Sequence, residues 1–241
     1  MDRISGIWVY LAASPLLWLL LTLVVYLAGQ WLFRRSGGQP LFNPVALAIM
    51  LLVTVLLLTG TPYATYFAGA QFIHFLLGPA TVALAIPLYQ HRARVRQLLL
   101  PISVGLVAGS MTAILSAMGV AWLLGGSPRT LLSLAPKSVT TPVAMGIAEK
   151  IGGLPSLTAV MVILTGVVGA VAAPTLLVWL RIRDEAVQGL AIGVAAHGIG
   201  TARALQISGL AGAFAGLAIG LNALLTAVLA PLIVQWLHLT P

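Results

Sequence analysis

Two short stretches carry most of the polar chemistry of this chain: Lys137-Ser138-Val139-Thr140-Thr141-Pro142 and His197-Gly198-Ile199-Gly200-Thr201-Ala202-Arg203. Each combines a cation, hydroxyls and helix-breaking residues inside long apolar surroundings. Lys137 and Arg203 can neutralise a carboxylate, and the Arg fork can do so bidentately. Ser138, Thr140, Thr141 and Thr201 can read a hydroxyl or carbonyl beside it. Pro136 and Pro142 remove backbone donors and disfavour helix before them, so helix is expected to restart at Pro142 with Thr141 as its cap. The exposed N–H groups and positive end of such a helix attract an anion. Gly198 and Gly200 loosen the second stretch and let another backbone approach. His197 and Thr201 are four residues apart, on one face of a helix. His197 can accept a proton during transport or serve as a satisfied hydrogen-bonding residue.

The elements that position these residues follow from composition. Of 241 residues, 60% are hydrophobic and 7% charged, against about 25% charged in soluble domains. So few charges cannot cover a water-soluble fold, and long apolar blocks without alternation argue against a β-barrel. The expected class is all-α: a polytopic membrane protein of about 6–8 segments, two of them broken or re-entrant, with a possible inverted repeat. One integral membrane domain is expected over 1–241, with an N-terminal helix over 7–33. Twelve Lys and Arg face four Asp and Glu. The basic residues punctuate the ends of apolar blocks, which reads as membrane topology and headgroup contact rather than nucleic-acid binding. There is no cysteine, which excludes disulfides and thiol chemistry.

Arg34 and Arg35, then Arg92, Arg94 and Arg96, then Arg181 and Arg183 mark cytoplasmic ends. From the first pair, 44–59 and 63–90 cross out and back, 97–124 crosses out, and 155–180 returns. That leaves no full crossing for 130–152, which is expected to enter from outside and return. By the same count 186–207 approaches from inside, although a full crossing is also compatible. Breaks from opposite faces are the geometry of a transporter site at the midplane. Pro79-Ala80-Thr81-Val82 resembles Pro136-Lys137-Ser138-Val139 at a shift of 57, which also places Gly109 on Gly166. Small residues at four-residue spacing (Gly105 and Gly109; Gly189 and Gly193; Gly212, Gly216 and Gly220) mark close-packing faces, first within the chain, with an oligomer face as the alternative.

Secondary candidates are Thr81, after the Gly78-Pro79 break, and Asn222, which reads as an interhelical hydrogen bond. Arg203 has no partner in its own segment; Asp184, Glu185 or the interface are its alternatives to a substrate. Lys137 has the headgroup region as its own alternative. The histidines show no metal-ligand spacing with any acid, and there is no phosphate loop and no nucleophile–base pairing. No metal, no cofactor and no enzymatic activity are expected.

The same stretches, together with Gly153-Leu154-Pro155-Ser156-Leu157-Thr158-Ala159-Val160 and Gly78-Pro79-Ala80-Thr81-Val82-Ala83-Leu84-Ala85-Ile86-Pro87-Leu88-Tyr89, resemble the signature of the LrgB/CidB family over roughly 40–237. The resemblance implies a multi-pass protein of the bacterial cytoplasmic membrane. It also implies a relation to a plastid glycolate/glycerate translocator. Bacterial members are described as holin- or antiholin-like modulators of murein hydrolase activity, paired with a small LrgA/CidA-type membrane protein. Gly146 departs from the pattern, where an acid is common.

The expected function is therefore secondary transport of a small monocarboxylate (glycolate, glycerate, lactate or pyruvate) by alternating access. Arg203, the N–H groups near Thr140–Pro142 and Lys137 would hold the carboxylate. Proton and sodium coupling both stay open. A homo-oligomer, a dimer first, is the expected assembly. The alternative is a holin- or antiholin-like pore or modulator of autolysis.

Overall fold

The structure, a computed structural model, describes residues 14–39, 42–83 and 85–239, with the side chains of residues 77, 78 and 81 outside that description. All regular structure among the described residues is helical. Among the described residues four helices are long and apolar enough to cross a membrane: α1 (Pro15–Arg35), α7 (Leu99–Leu123), α10 (Pro155–Trp179) and α12 (Gly209–Trp236). The chain forms two compact units, 1–82 and 83–241.

In the first unit, α1 packs against α2 (Pro44–Thr59) and α3 (Tyr63–Phe75). The closeness comes from glycine: a Cβ on Gly29 would stand 3.1 Å from the Pro44 carbonyl oxygen, and Gly69 lies against the backbone of Pro15. Trp18 is fully buried and meets Tyr66 edge-on, at 6.0 Å between ring centres. Asn43 caps α2, its Oδ1 accepting from the amides of Val45 and Ala46, with Pro44 in the first turn. The interruption expected at Gly78-Pro79 falls earlier, at Leu76. Pro79 is instead the third residue of α4 (Leu77–Ala83), where a first-turn proline loses no helical hydrogen bond. Thr81 lies in α4, and its side chain is outside the described residues.

In the second unit, α5 (Ala85–Gln90) and α6 (Arg92–Gln97) lead into α7. The two polar clusters each form a helical hairpin. The first is α8 (Pro128–Leu134), a turn over 135–140 and α9 (Thr141–Lys150). Its return is fixed by Ser133. The Leu154 amide donates to Ser133 Oγ at 2.7 Å, and Thr158 Oγ1 donates to the Ser133 carbonyl at 2.8 Å.

The second hairpin is α11 (Glu185–Ile207), in which Ala196 and His197 leave helical geometry. A continuous helix of this length would separate its ends by about 33 Å. Yet Ser208 Oγ donates to Glu185 Oε2 at 2.7 Å, so 185–195 and 198–207 are antiparallel arms. Gly200 lies against Ile192 across the hairpin, where a Cβ would meet Cγ2 at 2.9 Å. The reversal sits at Ala196–His197, and Gly198 and Gly200, expected as the breaks, have no positive φ. The left-handed residue is His197 itself, at φ 40° and ψ −135°.

Helix α12 supports both hairpins. Gly189 and Gly193 of the first arm of α11 rest on the backbone at Ala211 and Ala215 near the start of α12. Helix α9 shares grooves with its far half: Val143 and Gly146 with Ala227, and Lys150 with Pro231 and Gln235. The bases of the two hairpins therefore lie at opposite ends of α12. Arg94 Nη2 donates to Asp184 Oδ2 at 2.8 Å, which puts the 92–96 basic run at the base of the second hairpin.

Candidate functional site where two hairpin tips meet

Halfway along α12, Asn222 is 1% exposed. Its Nδ2 donates to the Ser138 carbonyl at 3.3 Å and to the Val194 carbonyl at 3.1 Å. One amide thus holds the tip of the first hairpin and the end of the first arm of the second. Its Oδ1 accepts from Ser110 Oγ of α7 and, at 3.4 Å, from Thr226 Oγ1. Both amide donors and both acceptor positions are engaged, as a buried primary amide requires. Sequence reasoning gave Asn222 a secondary rank. Its signal was an amide at the centre of a long apolar helix.

The second tip is built around His197, which is 5% exposed. Its Nε2 lies 2.9 Å from the Val162 carbonyl of α10. A carbonyl only accepts, so the ring carries a proton on Nε2, and in the neutral form Nδ1 is the acceptor. Gly166 makes room for the ring: a Cβ there would stand 2.7 Å from His197 Cε1. Thr201 Oγ1 donates to the His197 carbonyl at 3.0 Å. A non-glycine residue at positive φ costs on the order of 1–3 kcal/mol, which these contacts must offset. Gly109, 57 residues before Gly166, packs against Val194 at the same reversal.

At the first tip, Ser138 is buried and Lys137 half-buried, with Lys137 Nζ 3.5 Å from Ser138 Oγ. Thr140, not Thr141, is the N-cap of α9, with Pro142 in the first turn; the Thr140 side chain makes no capping hydrogen bond. Pro136 is fully buried in the turn. The N-terminal ends of α9 and of the 198–207 arm both face the meeting point, each bringing the positive end of a helix.

Arg203 stands apart from the tips. It lies about 9 Å of helix rise beyond His197, and its Nη1 donates to Gln206 Oε1 at 2.8 Å, towards the hairpin base. Asp184 and Glu185, its alternative partners by sequence, bond to Arg94 and Ser208. Lys137 instead lines a groove of about 520 Å³, walled by Ala117, Val120 and Leu124 at the end of α7, by Leu134 and by Met161. Among the described residues no His, Asp and Glu side chains cluster as metal ligands.

The membrane-length apolar helices define a multi-pass α-helical membrane protein. The chain belongs to the LrgB-like family, whose sequence model matches residues 22–236, a span that begins within α1 and so extends beyond the 40–237 resemblance. It is 38% identical to the uncharacterized protein YxaC of Bacillus subtilis, over 95% of this chain and 99% of that one. It is 30% identical to a holin-like protein CidB of Staphylococcus epidermidis, over 92% of this chain and 96% of the relative. It is equally 30% identical to an antiholin-like protein LrgB of Bacillus cereus, over 93% and 97%. No solved structure matches. With these relatives, the apolar helices indicate a multi-pass protein of a bacterial membrane.

Proposed function

We propose that the protein is a secondary carrier for small monocarboxylates of the glycolate, glycerate, lactate and pyruvate kind. The observation that carries this reading is the meeting of two hairpin tips at Asn222, with their bases at opposite ends of α12. In this reading 128–150 is re-entrant from the outer face and 185–207 from the cytoplasmic face. An α-helix of 7–11 residues reaches only about 10–16 Å, half a bilayer. Irregular backbone is tolerated there because protein encloses it. The carboxylate would lie between the positive helix ends, where Lys137 supplies a formal charge and Ser138, Thr140, Thr141 and Thr201 supply hydroxyls. Arg203 would act towards the cytoplasmic end, on the route of entry or exit. Alternating release of the tips gives alternating access. His197 Nδ1 is the group proposed for proton coupling; sodium is the other candidate ion. The working assembly is a homodimer, with a small LrgA/CidA-type membrane partner and no enzymatic activity.

Uptake of labelled glycolate into proteoliposomes tests this. Saturable uptake, competed by lactate and lost in Ser138→Ala/Thr201→Val, is expected; linear uptake indifferent to competitors overturns it.

The relatives' names favour a second reading, a holin- or antiholin-like element that controls membrane permeability. It predicts release of entrapped dye from the same vesicles with no selectivity among small solutes.

A further inference from the structure

Lys137 is the charged residue of its groove. The ion pair of Arg94 with Asp184 lies at the other end of the unit. The ammonium has one neighbour by hydrogen bond, Ser138 Oγ at the long distance of 3.5 Å. A half-buried cation without an acid is costly unless an anion completes it. The walls that lead to it are apolar: Ala117, Val120, Leu124, Leu134 and Met161, with Ser116 and Thr130 as the polar exceptions. The groove runs from the base of the first hairpin, at Gly126 and Thr130, to its tip at Lys137.

We propose that Lys137, rather than Arg203, anchors the anion, and that this groove takes an apolar tail. The site would then select monocarboxylates with an aliphatic chain over those with several hydroxyls. Charge complementarity names the head, and the wall chemistry names the tail. A second or third hydroxyl on the ligand would be desolvated against Leu134 and Met161 with no partner. Each methylene gains about fourfold in affinity by the same burial. This specificity rests on the carrier reading for its site, and binding is measured apart from transport so that the two can fail separately.

The test is equilibrium binding of butyrate, lactate and glycerate to the purified full chain in nanodiscs. Butyrate, with one more carbon to bury and no hydroxyl to desolvate, is expected to bind at least about fourfold tighter than glycerate. Lys137→Gln should weaken butyrate by about tenfold or more, while Lys137→Arg stays within about threefold. Glycerate binding tighter than butyrate, or Lys137→Gln binding as well as the parent, overturns the proposal.

A second measurement serves should Lys137→Gln not fold. The chain has no cysteine, so Met161→Cys gives a single thiol on the groove wall. Butyrate should slow its reaction with N-ethylmaleimide and glycerate should not. Reaction unaffected by butyrate, as when a lipid chain or a second copy fills the groove, also overturns it. Butyrate binding without vesicle uptake keeps the anchor and removes the carrier. Glycolate uptake with Lys137→Gln binding unchanged removes the anchor and keeps the carrier.

Discussion

Replacing Asn222 with leucine, similar in size and apolar, should cost more than any other single polar deletion in the second unit. The substitution leaves four buried polar atoms behind. Ser110 and Thr226 can turn their hydroxyls back to the carbonyls one helical turn earlier, so their loss is small. The Ser138 and Val194 carbonyls lie at a turn and beside a helix reversal, and each loses the Asn222 donor. An unsatisfied buried acceptor costs about 1–3 kcal/mol, whereas interhelical hydrogen bonds within membranes average about 0.6 kcal/mol. Weighted between these limits, the two carbonyls give about 2–4 kcal/mol. At about 2–4 °C per kcal/mol for a chain of this size, thermal unfolding in detergent should fall by about 5–15 °C. Thr226→Val removes one 3.4 Å contact and should shift the midpoint by no more than about 2 °C. Asn222→Asp keeps the shape but turns an ionised carboxylate towards two carbonyls. It should unfold at least as early as Asn222→Leu at pH 7 and recover as acid protonates the carboxyl into a donor. A midpoint for Asn222→Leu equal to that of Thr226→Val would refute the assignment of Asn222 as the joint between the hairpins.

Gly166→Ala should push the imidazole off Val162, since a Cβ would stand 2.7 Å from its ring; a loss of about 2 kcal/mol is expected in the same unfolding assay, by analogy with overpacked cores. Gly198→Ala, with open space around it, should be neutral or stabilise by up to about 1 kcal/mol, because Gly198 has no positive φ and alanine favours helix. Asp184 sits below its ordinary carboxyl range, held first by the Val187 amide and helped by Arg94, against partial desolvation. A lowered native value means its contribution is complete above the unfolded value, near 4, and is lost as pH falls through the native one. Acid titration below about pH 4 should therefore destabilise the parent more than Asp184→Asn, and equal acid sensitivity would contradict this.

Much of this architecture was legible in the residues. Pro136 and Pro142 bracket a turn and restart a helix because proline lacks the amide a helix interior needs, and the structure turns over 135–140. The glycine pair at 189 and 193 marked a helix contact within the chain, here with α12. The second reversal was legible in region but not in position. Glycine was the expected hinge, yet the left-handed residue is His197, because its bond to Val162 and the Thr201 contact hold a conformation that local propensity disfavours. The cap of α9 shifted by one residue, from Thr141 to Thr140. Asn222 was seen but ranked low, since nothing local to α12 reveals that its partners lie 84 and 28 residues away. Arg203 was given no partner in its own segment because the contact with Gln206 depends on a rotamer, which spacing alone does not fix.

Because both tips fasten to a single side chain, they resemble two doors hung on one post. Either can swing clear of the post by giving up one Asn222 hydrogen bond, the second also parting His197 from Val162, while the other keeps the post upright. Opening both at once would leave both N–H donors of the amide without an acceptor, and that asymmetry in cost is itself a guard against a continuous leak.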